Sequence, residues 1–178
     1  MDIDYYTAGE KEFLLKIARQ TLERFLLAGE KFEPQTVNKK LWERNGVFVT
    51  LNKNGKLRGC MGSVEPKESL IISIRDNALS VANDPRFDPL GANELDSIDI
   101  EISVLSEPQR VDLSGINSGD GVLVVKGDKS ATYLPHVWKS FNTKNEFINS
   151  LYEKAGINSS VDDLEIEYWI YSAITFKG

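Results

Sequence analysis

The sequence predicts an α+β fold made mainly of antiparallel sheets flanked by helices. Two hairpin patterns, one turning at Asn54-Gly55 and one around residues 126–129, join segments rich in strand-forming residues. Helical patterns occur at irregular intervals, so the chain lacks the strand–helix–strand rhythm of a parallel sheet. With 178 residues, the chain is long enough for one compact domain or two unequal lobes. We expect a single domain over residues 1–178, and its length leaves open whether that domain is one compact body or two lobes, whose boundary the sequence does not assign.

The first predicted helix begins after Thr7 and ends near Ala28. Thr7 and Glu10 have the spacing of a capping box, and Gly29 is a typical C-terminal stop. A short helical turn is expected at residues 41–42. The apolar residues of the long helix recur at spacings of three and four, which predicts that they face the core. They are Leu14, Ile17, Ala18, Leu22 and Phe25.

A β-hairpin is predicted next. Residues 47–52 alternate in polarity and are rich in β-branched side chains, and residues 56–62 return as the partner strand. Successive side chains of a strand point to opposite faces. Alternation therefore predicts that Arg58, Cys60 and Gly62 share one face of the second strand.

A second helix and a further strand follow the hairpin. The helix is expected to start with Pro66 in its first turn and to end by residue 83, because a residue that precedes proline avoids the helical region. Its buried stripe is predicted to be Ile71, Ile74, Ala78 and Val81. Residues 98–104 then alternate between an apolar face and a polar face that carries Asp99, Glu101 and Ser103.

The C-terminal third combines loops, a hairpin, a helix and a final strand. Residues 108–121 are rich in turn formers and predict a loop or an edge region. The second hairpin is expected from 122–125 and 131–134. A capping box at Thr143 and Glu146 predicts a helix that Gly156 ends. Residues 165–176 are predicted to form one closing strand.

Composition excludes several classes of function. The net charge of −6 argues against general binding to nucleic acid. One cysteine rules out an internal disulfide and fits a reducing compartment, and one cysteine with one histidine cannot form a structural Cys/His zinc site. The N-terminus lacks a signal-peptide pattern, and no apolar run has the length of a membrane span. We therefore expect a cytoplasmic protein. The sequence has no phosphate-binding loop or dinucleotide fingerprint, which disfavours ordinary nucleotide-dependent chemistry, and it assigns no cofactor or metal.

The strongest candidate for a functional site is Cys60. Gly59 and Gly62 leave the backbone around the thiol bare, so that a ligand could approach, and the positive charge of Arg58 would favour the thiolate. The alternative is structural, because cysteine is among the residues most often simply buried. The sequence leaves both interpretations open.

Three further positions are candidate neighbours of that site. The segment from Asp84 to Pro89 predicts a stiff, charged loop in which Arg86 pairs with Asp84 or Asp88. Glu101 either faces solvent or points toward one of the arginines. His136 is the only histidine, and its unperturbed pKa of about 6.5 would suit a base for a thiol, although a structural role is the alternative.

Several segments together resemble the AMMECR domain family over roughly residues 8 to 176. The resemblance rests on the segment 46–51, on Leu57-Arg58-Gly59-Cys60-Met61-Gly62, on Asp84-Pro85-Arg86-Phe87, on the strand 100–106, on Leu134-Pro135-His136-Val137-Trp138 and on Lys154-Ala155-Gly156. Met61 and His136 depart from the family pattern, in which Ile and Gln are common. Relatives with Gln could not use a Cys–His pair, which favours Glu101 or a water as the base.

The resemblance implies a larger and a smaller lobe, each built on antiparallel strands, with the Arg-Gly-Cys segment beside a cleft between them. It also implies two partners, a Memo-type protein and a radical S-adenosylmethionine protein, but no established reaction. Carried over by position, the site is Arg58, Gly59, Cys60 and Gly62. Asp84, Arg86 and Glu101 are possible neighbours.

Two functions follow as hypotheses. In the first, the protein is an enzyme or enzyme component that acts on a small anionic molecule. Cys60 is then its nucleophile or covalent carrier, the arginines hold the anion and Glu101 manages protons. In the second, it is a non-catalytic binding or adaptor module for the same partners. A purely structural role of the motif is the third reading.

Overall fold

The structure, a computed structural model, describes residues 5–158 and 165–178. The described chain contains three α-helices and eight β-strands. The helices are α1 (Ala8–Ala28), α2 (Leu70–Val81) and α3 (Lys144–Ala155), and the strands are β1 (Val47–Lys53), β2 (Lys56–Ser63), β3 (Ile98–Leu105), β4 (Gln109–Val111), β5 (Gly121–Lys126), β6 (Lys129–Tyr133), β7 (Glu167–Tyr171) and β8 (Ala173–Lys177). The strands form two antiparallel sheets, ordered β2-β1-β3-β8 and β4-β7-β5-β6. The predicted α+β class is confirmed.

The chain divides into a larger and a smaller compact unit. Unit 1 comprises the described part of Met1–Val104 together with Ile174–Gly178, and unit 2 comprises the described part of Leu105–Ala173. That these units form one domain stays a prediction, as does the cleft that the family resemblance implies.

In unit 1, α1 and α2 share a core with one face of the first sheet. Thr7 caps α1 by accepting a hydrogen bond from the Glu10 N–H, and Gly29 ends the helix at φ 68°. The apolar residues of β1 and β3 that enter this core include Val49, Leu51, Ile100 and Ile102, all of which are buried. The other face of the sheet carries mainly polar residues of the same strands, as the alternation predicts, with Phe48 as an apolar residue among them.

Two helix predictions in unit 1 are wrong in detail. Phe25 is 36% exposed, because the last turn of α1 extends past the buried stripe that ends at Leu22. The second helix begins at Leu70 and does not include Pro66. Its start is set instead by Leu70, whose N–H donates to the Glu43 carbonyl at 2.8 Å.

The β1–β2 hairpin has the predicted turn and one irregularity. Asn54 and Gly55 both adopt positive φ, at 52° and 74°. The register pairs Leu51 with Gly59 but Asn52 with Leu57, so Arg58 is the extra residue of a β-bulge. The bulge interrupts the alternation that was predicted to place Arg58 and Cys60 on the same face.

In unit 2, α3 packs on the second sheet. Its core includes Trp138 and Phe147, whose rings stack with centroids 3.8 Å apart. The predicted hairpin corresponds to β5 and β6, and the capping box at Thr143 starts α3. The predicted edge region contains the short edge strand β4.

The prediction of one closing strand over 165–176 is wrong. This segment contains β7, which belongs to the second sheet, and β8, which belongs to the first. Ser172 separates them, because its N–H donates to the Ser106 hydroxyl and its carbonyl accepts from the Ser106 N–H. Alternating polarity continues through the break, so the pattern alone does not reveal it.

Candidate functional site

Cys60 lies on β2, opposite Thr50 of β1, and is partly exposed. The Thr50 hydroxyl donates a hydrogen bond to the Cys60 sulfur across 3.3 Å. Thr50 is itself 8% exposed and pairs on its other side with Glu101 of β3. The three side chains therefore form a row across three strands, on the sheet face opposite the helices.

The main chain of Cys60 is held by two side chains from the segment after α2. The Cys60 N–H donates to Asp84 Oδ2 at 2.9 Å, and the Cys60 carbonyl accepts from Arg86 Nη2 at 3.1 Å. Arg86 also donates to the two Asp84 oxygens, at 3.0 and 2.6 Å. We refer to Asp84 and Arg86 as the edge clamp, because they bind the outer side of β2.

The electrostatics of the edge clamp are those of a strong ion pair with one exposed end. The Arg86 guanidinium, helped by the Cys60 N–H, lowers the pKa of Asp84 to about 2. The Asp84 carboxylate in turn raises the pKa of Arg86. The charge of Cys60 contributes a smaller rise in the same pKa. The Asp84 side chain is 1% exposed, whereas that of Arg86 is 52% exposed. Arg86 thus joins the main chain of Cys60 to the ion pair and retains exposed surface for a ligand.

Arg58 points to a different partner. Its Nε and Nη2 donate to the two carboxylate oxygens of Glu94 at 3.1 and 2.9 Å, and Nη2 also donates to the Asp88 carbonyl. Lys53 binds the same Glu94 carboxylate at 2.8 Å. Arg58 and Lys53 lower the pKa of Glu94 to about 2. These contacts tie the segment after α2 to the β1–β2 hairpin.

Gly59 and Gly62 make room for the protein itself. A Cβ at Gly59 would lie 2.9 Å from Val81 Cγ2 and 3.1 Å from the Val81 carbonyl oxygen, at the end of α2. A Cβ at Gly62 would lie 2.3 Å from the Val47 carbonyl oxygen and 2.5 Å from the Phe48 ring. The space that the sequence suggested for a ligand is filled at these two positions by neighbouring backbone and side chains.

Comparison with known proteins identifies the family. The AMMECR1 family model matches residues 15–176. The chain belongs to the AMMECR1 family. A protein of Thermotoga maritima is 39% identical over 165 residues, which cover 89% of this chain and 94% of that protein. A protein of Clostridium acetobutylicum is 36% identical over 159 residues, which cover 86% of this chain but 34% of that protein.

A solved structure supports the same assignment. The crystal structure of an uncharacterised protein from Pyrococcus horikoshii matches this chain with a TM-score of 0.87 and 33% sequence identity. The match covers 94% of this chain and 90% of the other. The family relationship therefore extends to the fold of nearly the whole molecule.

The remaining candidates of this AMMECR1-family protein lie on elements other than β2. Glu101 is two strands from Cys60, about 10 Å at the backbone, with Thr50 between them. His136 is exposed in a 3-10 turn of unit 2. Within the described ranges, no group of three or more His, Cys, Asp or Glu residues could hold a metal ion. In the same part of the chain, no helix is long and apolar enough to span a membrane.

Sequence reasoning missed Thr50 and Glu94. Thr50 is a polar residue in a strand of mostly apolar ones, but the regular register of the Asn54-Gly55 hairpin would place it opposite Gly59, and only the bulge at Arg58 brings it opposite Cys60. No local sequence pattern indicates Glu94, because it binds Arg58 across a separation of 36 residues in the chain. By contrast, the pairing of Arg86 with Asp84 is one of the two alternatives that the sequence predicts.

Proposed function

We propose that this AMMECR1-family protein is a cysteine-dependent enzyme, or a component of one, that acts on a small anionic molecule. One observation carries the proposal: Cys60 is partly exposed, its sulfur accepts a hydrogen bond from Thr50, and its main-chain carbonyl accepts one from the half-exposed guanidinium of Arg86. A hydroxyl donor and a cation both favour the thiolate, which is the nucleophilic form of cysteine.

The residues take distinct roles in this proposal. The Cys60 sulfur donates the electron pair that forms a bond to an electrophilic carbonyl carbon of the substrate. The π electrons of that C=O bond move to its oxygen as the C–S bond forms, and Arg86 binds the substrate's anionic group. The thiol proton leaves to water. Glu101 is too far for direct transfer and could accept the proton only through water, because the Thr50 hydroxyl between them donates toward the sulfur. Arg58 supports the site through Glu94, because its guanidinium already binds that carboxylate on two nitrogens.

The protein is further proposed to act in the reducing cytoplasm with partner proteins, a Memo-type protein and a radical S-adenosylmethionine protein. The family resemblance supports these partners. The match to about a third of a longer clostridial protein supports a domain that works with additional polypeptide. Mixing the purified proteins and following their joint sedimentation tests the association, and separate sedimentation would refute it.

A non-catalytic binding or adaptor module is the second candidate. The close packing around Gly59 and Gly62 and the ion pair of Arg58 with Glu94 favour this candidate, because they give these three motif residues structural roles. In that case Cys60 shapes a surface without reacting, and Cys60→Ser keeps binding to the partners.

Alkylation of Cys60 by iodoacetamide as a function of pH decides between the two. The enzyme proposal expects the folded protein to react with a pH midpoint below the value of about 8.5 for an ordinary thiol. Arg86→Gln should raise the midpoint, whereas Lys67→Gln, at an exposed site elsewhere, should not. A midpoint at or above the ordinary value, or reaction only after unfolding, would refute the nucleophile and favour the second candidate.

A further inference from the structure

The outer edge of β2 is closed by side chains and not by a strand. Within the described part of the first sheet, β2 has β1 as its only neighbour, so it is an edge strand. An edge strand presents peptide N–H and C=O groups that can pair with another chain. At Cys60 both groups of one residue are already bound, the N–H by Asp84 and the carbonyl by Arg86.

The edge clamp copies the hydrogen bonds of a neighbouring strand. In an antiparallel ladder, one residue of the partner strand accepts from an N–H and donates to the C=O of the residue opposite. Here a carboxylate accepts and a guanidinium donates. Local hydrogen bonds fix the position of the edge clamp. Asp84 Oδ1 also accepts from the Arg86 N–H, and the Asp84 carbonyl accepts from the Phe87 N–H.

Two other features protect the same edge. Arg58 forms the β-bulge, and bulges disturb the regular spacing that strand pairing needs. Its guanidinium also binds the carbonyls of Asp88 and Pro89, which fixes that segment next to the strand. These contacts therefore block the part of the β2 edge at which the main-chain N–H and C=O groups of Cys60 could otherwise pair with another strand.

We propose that Asp84 and Arg86 keep the β2 edge from pairing with the β2 edge of a second copy of this chain. An edge strand that pairs with itself around a two-fold axis is necessarily self-complementary and antiparallel. Centred on Cys60, such a pairing would place Arg58 opposite Gly62 of the other copy, so the basic residues at the start of the strand would not face each other. It would also bring the two Cys60 residues opposite each other.

The test removes the clamp and measures self-association. The variant Asp84→Ala/Arg86→Ala is compared with wild type and with the control Glu65→Ala/Lys67→Ala, which removes an exposed ion pair of the same sequence spacing. Sedimentation velocity over a range of concentrations gives the dimer dissociation constant. Treatment with diamide then reports whether the two Cys60 thiols are adjacent.

The clamp variant should dimerise with a dissociation constant at least about tenfold below that of wild type and of the control. Diamide should cross-link that dimer through Cys60, and Cys60→Ser should abolish the cross-link. Unchanged sedimentation of a folded clamp variant would overturn the proposal, and so would a dimer that does not cross-link. If circular dichroism shows that the double variant does not fold, Arg86→Gln alone, at a half-exposed site, is judged by the same criteria.

Discussion

Thr50 connects the cysteine to the rest of its sheet. It lies opposite Cys60, is almost fully buried, and donates to the sulfur. A hydrogen bond to a charged acceptor contributes on the order of 1.5–3 kcal/mol, and one pH unit corresponds to about 1.4 kcal/mol. Thr50→Val, which keeps the shape but removes the donor, should therefore raise the pH midpoint of Cys60 alkylation by about one to two units.

Thr50→Ser is the matched variant, because serine retains the hydroxyl, and it should keep the midpoint of wild type. Thr175→Val makes the same change on β8, away from the cysteine, and should also leave the midpoint unchanged. Equal midpoints for Thr50→Val and Thr50→Ser would show that the hydroxyl does not act on the sulfur.

Asp84 gives the molecule a specific sensitivity to acid. Its folded-state pKa of about 2 lies below the unfolded value of about 3.9, so its contribution to stability is complete above pH 4 and is lost as the pH falls toward 2. The depression corresponds to about 2–3 kcal/mol. Asp84→Asn should be less stable than wild type at pH 7.

The difference in the free energy of unfolding between Asp84→Asn and wild type should decrease as the pH falls from 4 to 2. Urea unfolding at a series of pH values measures it, with Asp128→Asn, in the turn between β5 and β6, as the control. A difference that stays constant down to pH 2 would contradict the ionised role of Asp84.

At the scale of elements, Arg58 and Glu94 fasten the segment after α2 to the hairpin. Both side chains are 15% exposed, so the pair is largely removed from water. Arg58→Met keeps the aliphatic stem but leaves Glu94 with only Lys53 and the Gly91 N–H, which should lower the free energy of unfolding by about 1.5–3 kcal/mol. Lys53→Met removes a more exposed partner and should cost less.

A double-mutant cycle isolates this pair. Arg58→Met combined with Glu94→Gln should cost less than the sum of the single changes, because each single change already removes the shared interaction. Chemical denaturation of the four proteins measures the coupling energy. Strict additivity would mean that the pair contributes nothing beyond its separate residues.

The same elements show what the sequence could predict. Local signals were sufficient for α1 and α3, each with a capping box and a terminal glycine, and for the Asn54-Gly55 turn. They failed where tertiary contacts decide: the start of α2 depends on the Glu43 carbonyl, and the bulge at Arg58 depends on pairing with β1. At the site, the short-range pair of Asp84 and Arg86 was foreseen, but the long-range pair of Arg58 and Glu94 was not.

At the scale of the whole molecule, the order of the chain makes the first unit discontinuous. β3 ends where unit 2 begins, and the chain returns at Ile174 to add β8 beside β3. The backbone of Ile100 exchanges two hydrogen bonds with Gly178, each of 3.0 Å. The sheet that carries Cys60 is therefore completed by residues more than 100 positions away in sequence, which explains why the break at Ser172 escaped prediction.

This topology predicts that β8 stabilises unit 1 in particular. Ile174 is 3% exposed and belongs to the core formed with α1, α2, β1 and β3. Ile174→Ala should lower the free energy of unfolding by about 2–5 kcal/mol, whereas the exposed Lys177→Ala should change it by about 0.5 kcal/mol at most. Amide hydrogen exchange should show the loss of protection in β1 and β3 before any loss in β5. Equal costs for the two variants, or loss of protection first in β5, would show that the returning strand is not what completes the first unit.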